Sequence, residues 1–324
     1  MSIFIVRRTL QSLWVVAAMS VIVFLGVFAI GNPVDILIHP EADQIVREAA
    51  IKALGLDKPL WKQYFVFVGN VLSGDLGLSF ATGEPVIEMI LHRMPATLEL
   101  ALMAVCIAVF IGIPLGIWAG LRPDGLSGRT LNGASIAGFS LPSFWQGMML
   151  VLIFSITLRW LPSCGRGEIG TFLGIKSSIF TADGLHHIIL PSINLAMFKT
   201  SIMIRLARAG VLEINNLDFI KFATAKGLRQ RRIVGVHILK NIMIPIITVL
   251  GMELGSVIAF AVITETIFAW PGMGKLIIDS IYNLDRPVIV GYLMTVVLMF
   301  ITINLVVDIL YSVIDPRVRL SEAK

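Results

Sequence analysis

The chain has 324 residues, 56% of them hydrophobic and 15% charged, with a mean hydropathy of +0.88. A soluble domain averages about 45–50% apolar and about 25% charged residues, so a soluble globule is excluded and a membrane protein fits. The net charge of +5 does not mark a nucleic-acid binder, because the lysines and arginines fall between apolar runs, where topology-setting charges belong.

In chain order, six stretches reach the roughly 20 apolar residues that a helix needs to cross the hydrocarbon core: residues 9–30, 97–121, 133–158, 187–211, 241–267 and 288–313. The first follows Arg7 and Arg8 and has no small-residue cleavage site after it, so it reads as a retained anchor rather than a cleaved signal. In the segment that follows, residues 40–56 have helical character. Residues 60–72 carry Trp61, Tyr64, Phe65 and Phe67, an amphipathic run suited to the membrane surface. The expected architecture is an all-α polytopic membrane protein of six transmembrane helices with a small external helical segment between the first two.

Orientation follows from the positive charges. Arg7, Arg8, Arg122, Arg129, the cluster Lys221, Lys226, Arg229, Arg231, Arg232 and Lys240, and finally Arg317, Arg319 and Lys324 fall on one side, which the positive-inside rule makes cytoplasmic. Residues 1–8 and 315–324 are then the cytoplasmic termini, residues 9–30 the first span, and residues 31–96 the external segment. Residues 97–314 form the transmembrane core, with a cytoplasmic loop at 212–240.

That loop contains Asp218-Phe219-Ile220-Lys221-Phe222-Ala223-Thr224-Ala225-Lys226-Gly227. Residues three and four apart share a helix face, so Phe219, Phe222 and Ala223 form an apolar strip flanked by basic residues on a short helix that Gly227 ends in a left-handed turn. By pattern alone, a basic loop that only enforces topology stands beside this reading.

Ionisable groups inside the hydrocarbon face a cavity or a partner. Glu253 and Glu265 share the fifth apolar run, and on one helix they lie about 18 Å apart and about 120° apart in azimuth, so they do not form one site. For Glu253, pathway lining and a structural hydrogen-bonded role are both open; for Glu265, a structural link beside the Trp270-Pro271-Gly272 turn is preferred. Asn194, Lys199, Thr264 and Asp308 raise the same question. Gly112, Gly116 and Gly120 repeat at a spacing that lets a second helix approach closely, as do Gly251 and Gly255. Pro114, Pro142 and Pro245 free backbone carbonyls and kink spans. His186-His187 reads as an interfacial or capping pair rather than a metal site. Cys106 and Cys164 make neither a disulfide framework nor a redox motif.

No catalytic constellation emerges. There is no H-E-x-x-H and no G-x-S-x-G, and Gly274-Lys275 fails as a phosphate loop because Ala269 stands where the first glycine belongs and Leu276 follows the lysine.

The 212–240 loop, with Ala223 four residues before Gly227 and Ile244-Pro245 further on, resembles the cytoplasmic EAA loop of ABC importer membrane subunits in the longer-spaced form of the peptide/nickel branch. Its usual glutamate is absent, and Lys221-Phe222 occupy the preceding positions. Four other stretches resemble the same branch in the same order: Leu54-Gly55-Leu56-Asp57-Lys58-Pro59-Leu60 with Gly74-Asp75-Leu76-Gly77-Leu78-Ser79; Ser140-Leu141-Pro142-Ser143-Phe144; Glu265 through Gly274; and Asp308-Ile309-Leu310-Tyr311 with Asp315-Pro316-Arg317.

The chain is therefore identified as resembling the dipeptide/oligopeptide/nickel permease family, on the side of the pair that carries the long external segment. The resemblance implies the type I ABC importer permease fold in a cell inner (plasma) membrane and half of a translocation pathway for peptides or a related small solute. Its implied partners are a second homologous permease, two ATPase subunits that use ATP and magnesium, and an external solute-binding protein. It also implies an ATPase-coupling role for Asp218, Phe219, Phe222, Ala223, Ala225, Lys226 and Gly227, with no cofactor held by this chain. The competing class is an ion-gradient-driven secondary transporter, which favours internal repeats and interrupted helices bearing midplane acids; no convincing repeat relates the two halves.

Overall fold

The computed structural model describes residues 2–29, 44–53 and 57–314. Part of the 40–56 stretch, the Leu54-Gly55-Leu56 start of the external motif, Asp315-Pro316-Arg317 and the terminal basic residues lie outside the described residues, as does the side chain of Asp308.

Among the described residues eleven α-helical segments follow one another: α1 (Ser2–Ala29), α2 (Gln44–Ala53), α3 (Leu60–Leu72), α4 (Val86–Leu121), α5 (Leu126–Ser140), α6 (Ser143–Thr157), α7 (Ala182–Asn215), α8 (Asp218–Ala225), α9 (Gln230–Ile267), α10 (Met273–Tyr282) and α11 (Arg286–Ile314). Between α6 and α7, strands β1 (Gly170–Phe172) and β2 (Ile175–Ser177) pair antiparallel, with Thr171 opposite Lys176. Among the described residues, five helices are long and apolar enough to cross a membrane, and six if α5 and α6 count as one broken span.

The chain divides into two compact units, Met1–Pro95 with Gly272–Thr302 and Ala96–Pro271 with Ile303–Lys324. In the first, α3 packs on α1 through one face only. The Ser20 and Tyr64 hydroxyls hydrogen bond at 2.8 Å, and Phe24 meets Tyr64 edge-on at 5.3 Å and Phe67 at 5.7 Å. Trp61 and Phe65 lie on the opposite, exposed face of the same amphipathic helix. Beyond α3, the Gly74–Ser79 motif turns back, with positive φ at Gly74 and Gly77. Asp285, buried at the head of α11, ties the turn down: its carboxylate accepts from the Ser79 hydroxyl at 2.5 Å and the Phe80 amide at 3.0 Å.

The second unit is built on α7. Its 34 residues make a rod of about 51 Å, and the 38 residues of α9 one of about 57 Å. Both exceed the roughly 30 Å of hydrocarbon, so their ends project past it. The Gly112, Gly116 and Gly120 stripe of α4 lies directly on α7: a β-carbon at Gly112 would meet Met203 Cβ at 2.7 Å, and one at Gly120 would meet Val211 Cβ at 2.7 Å. Helix α4 absorbs Pro114, which lacks an N–H, through a widened π-type turn over Ala108–Gly112.

The second apolar run, from residue 97, is the later part of a longer helix that starts at Val86 and continues through Pro95. The third is not one straight helix over 133–158: α5 and α6 meet at 107°. A proline ring crowds the residue before it out of the helical region, and Leu141 and Pro142 are both extended, at ψ 136 and 134.

Candidate functional site

Helix α8 sits between the projecting ends of α7 and α9. Two i, i+3 pairs interleave along it. Ile220 and Ala223 turn inward and join an apolar cluster with Ile214 of α7 and Ile233, Ile238 and Ile242 of α9. Phe219 and Phe222 turn outward and are 43% and 62% exposed. The expected strip of Phe219, Phe222 and Ala223 is thus split: Ala223, at 6% exposure, belongs to the chain's own core.

The outer surface is completed by the Asp218–Lys221 ion pair at 3.2 Å and by Lys226, whose ammonium lies 4.5 Å from the Phe222 ring centroid; Ala225 is exposed beside them. The helix stops as the sequence predicts. Gly227 has φ +76, its amide bonds Thr224 O at 2.9 Å, and the Leu228 amide bonds Ala223 O at 3.2 Å. These are the two crossing bonds of a Schellman stop.

The second feature is a cavity of about 520 Å³ where the α5–α6 elbow meets α7 and α9. The elbow is held by Gln146, whose amide nitrogen donates to the carbonyls of Gly138 at 3.0 Å and Leu141 at 2.9 Å. Across from it, Lys199 is ion-paired with Glu253 and donates to Ser256 Oγ at 2.8 Å, and Ser256 Oγ donates to Glu253 Oε2 at 3.0 Å. Asn194 is 2% exposed; its Nδ2 donates to Thr264 Oγ1 at 2.9 Å, while its Oδ1 has no hydrogen-bond partner. Phe198 and Phe260 complete the wall. The cavity is therefore apolar with one charge pair and one unpaired acceptor, the composition of a small-molecule site.

Glu265 is elsewhere. It is fully buried, accepts from the Thr97 hydroxyl at 2.7 Å, and its backbone carbonyl receives the Trp270 amide at 2.8 Å. Trp270, also fully buried, donates from its indole to Ala96 O at 2.9 Å. The two acids separate as their azimuths require: Glu253 faces the cavity with Asn194, and Glu265 does not.

Sequence reasoning gave Lys199 little weight and passed over Ser256, Phe198 and Phe260; a basic residue and an acid in two long apolar runs were the available signal. It also passed over Glu99, which accepts from Arg166 at 2.5 and 3.1 Å and from Ser178 at 3.0 Å, fastening the α6–α7 connection to α4. His187 Nδ1 bonds Asp183 O at 2.8 Å. Among the described residues no group of His, Cys, Asp and Glu is placed to hold a metal.

Comparison with known proteins places this geometry. Residues 112–320 match the family of binding-protein-dependent transport system inner membrane components, and residues 1–101 match the N-terminal domain of such membrane components. The dipeptide transport system permease protein DppB of Escherichia coli strain K12 is 38% identical over 89% of this chain and 90% of its own length. The oligopeptide transport system permease protein AppB of Bacillus subtilis is 35% identical over 98% and 99%, and the glutathione transport system permease protein GsiC of Escherichia coli strain K12 is 36% identical over 98% of each. The fold is shared with an inward-facing MetNI methionine ABC transporter at a TM-score of 0.56 and 15% identity, covering 71% of this chain and 97% of that one. The chain thus belongs to the binding-protein-dependent transport system inner membrane components, the permease subunits of ABC importers, and has their type I fold.

Proposed function

We propose that this chain forms half of an inner-membrane pathway for short peptides, and that it receives its driving force at α8 from a separate ATPase subunit. The observation that carries the coupling role is the division of α8: its inner face is fixed in the chain's core, while Phe219 and Phe222 are held out beside the ends of two rods too long for the bilayer. Two large exposed aromatics on a short helix are poor solvent-facing residues and good anchors for a groove on a partner. Relatives named for dipeptide, oligopeptide and glutathione transport support the substrate class.

In this reading α8 and both termini are cytoplasmic, residues 31–96 are external, and Asp218, Ala225, Lys226 and Gly227 shape the docking surface around the two phenylalanines. A second homologous permease completes the pathway, two ATPase subunits consume ATP with magnesium, and an external binding protein delivers the solute. Movement of α8 as a rigid body tilts α7 and α9, which are joined to either end of it, and switches the helices between two packings.

The test is ATP-driven dipeptide uptake in proteoliposomes containing the complete transporter, with the Phe219→Ser/Phe222→Ser double variant. Each buried aromatic anchor is worth about 2 kcal/mol or more at an interface, so the ATPase subunits are expected to dissociate and uptake to vanish while the chain stays folded in the membrane. Wild-type uptake by the double variant removes α8 as the coupling surface. Peptide uptake driven by an ion gradient without ATP overturns the reading as a whole.

A further inference from the structure

The cavity beside the α5–α6 elbow holds charges that the fold does not require. A buried ion pair is a weak source of stability, because desolvating both ions offsets most of their attraction, and well-packed apolar residues do as well or better. Lys199 is 8% exposed, yet its ammonium is brought to Glu253 and Ser256 at the wall of a cavity rather than into packed core. In a membrane-spanning segment such groups mark a path for polar solutes. Asn194 adds an independent observation: a buried amide oxygen on the same wall that nothing satisfies, although an unmet acceptor of this kind carries a desolvation cost. Phe198 and Phe260 flank these polar groups with apolar surface.

We infer that this cavity is a subsite for the charged main chain of a short peptide, resting on the reading of the chain as a peptide permease. The Lys199–Glu253 pair opens to take the two ends of the zwitterion. Lys199 meets the α-carboxylate, and Glu253 meets the α-ammonium. Ser256, already within 3.0 Å of both partners, holds each in place as the pair separates. Asn194 Oδ1 accepts a peptide N–H, and Phe198 and Phe260 pack on side chains of any apolar shape. When the cavity is empty the pair closes on itself, so neither charge is left alone in the membrane. The exchange uses no new charge and demands no particular side chain, which suits a pathway that passes many peptides of the same backbone chemistry.

The membrane complex, purified in nanodiscs without the external binding protein, isolates this site from selection upstream. Equilibrium binding of radiolabelled Ala-Phe is measured in competition with unlabelled Ala-Phe, Ala-Phe-amide and N-acetyl-Ala-Phe. A charge-assisted hydrogen bond lost to a blocked terminus weakens binding at least about ten-fold, so both blocked peptides are expected to compete at least that much more weakly on the wild type. Lys199→Gln should abolish the difference between Ala-Phe and its amide while keeping the penalty for the acetylated peptide. Glu253→Gln should do the reverse. The apolar pair Lys199→Met/Glu253→Leu keeps the helices packed and should discriminate against neither.

Equal competition by all three peptides on the wild type overturns the subsite, as does wild-type discrimination by the apolar pair. In both cases ATP-driven Ala-Phe uptake by the complete transporter leaves the peptide-permease reading standing. Absence of that uptake for every short peptide tried removes the peptide reading and the subsite with it.

Discussion

Helix α9 carries two glutamates twelve residues apart, and they live in opposite regimes. Glu265 is sealed: Thr97 bonds its carboxylate, its own backbone holds Trp270, and no solvent reaches it. Glu253 is about a fifth exposed at its side chain, on the wall of a cavity, paired to Lys199, the partner that a peptide replaces in the proposed subsite. The same side chain on the same span thus fastens the fold at one level and stays available for exchange at the other. Burial and the permanence of its partners decide which, and the residue type does not.

The comparison breaks first at the sealed end. Trp270→Ala removes a fully buried indole and its bond to Ala96 O and should cost about 3–5 kcal/mol. Glu265→Ala, which removes a fully buried carboxylate and the acceptor of the Thr97 hydroxyl, should cost about 1–3 kcal/mol. Both are read as a lower midpoint of thermal unfolding for the purified complex and less protein in the membrane. If Glu265→Ala unfolds at the wild-type temperature while uptake is lost, Glu265 is a functional acid and the contrast collapses.

The exchangeable pair should show a different pattern, in which the single change costs more than the double one. Lys199→Met leaves Glu253 with only Ser256, and removing one partner of a buried pair costs about 3–5 kcal/mol when no water can reach the survivor; the partial exposure of Glu253 reduces this well below that figure. Lys199→Met/Glu253→Leu removes both charges and should restore the unfolding midpoint to the wild-type value or above it. A double variant less stable than the single one would make the pair structural, like Glu265.

How much of this was legible varies by the kind of interaction. The spans are legible because a helix in lipid must bury its own backbone and be long enough to cross, so residues 187–211 and 241–267 locate α7 and α9. The 107° elbow is written in Leu141-Pro142, a proline effect that acts on its neighbour. The early start of α4 is hidden because His92, Arg93 and Pro95 interrupt the apolar run that marks a span, although the helix continues through them. Ala223 was assigned to the wrong face because α8 is apolar on two sides: periodicity groups Phe219 with Phe222 and Ile220 with Ala223, but which pair turns inward is settled by the isoleucines of α9 that close on it. Lys199 and Glu253 are separated by 54 positions, and no local pattern couples residues across two helices.

Helix α8 sharpens the contrast with the smallest of these effects, since there structure and coupling share eight residues. Gly227 has φ +76 and no atom within 4 Å of where a β-carbon would sit. Space is therefore free, and only the handedness of the backbone restricts the position. A left-handed residue with a β-carbon costs about 1–2 kcal/mol, with asparagine tolerated better than alanine and β-branched residues worst. Gly227→Asn should transport like the wild type, Gly227→Ala slightly less well, and Gly227→Val least. The valine variant is expected to reach the membrane in normal amount, because the Ile220 and Ala223 face still packs on Ile233 and Ile242 and no apolar span is altered. Its loss should fall on coupling: the Schellman bonds of Gly227 and Leu228 loosen, and the outward phenylalanines lose their fixed angle to α7 and α9. ATP hydrolysis by the assembled complex that continues while uptake falls would place the defect in transmission. Equal uptake by the asparagine and valine variants would mean that the left-handed stop is a local convenience, and that the inner face alone sets the position of α8.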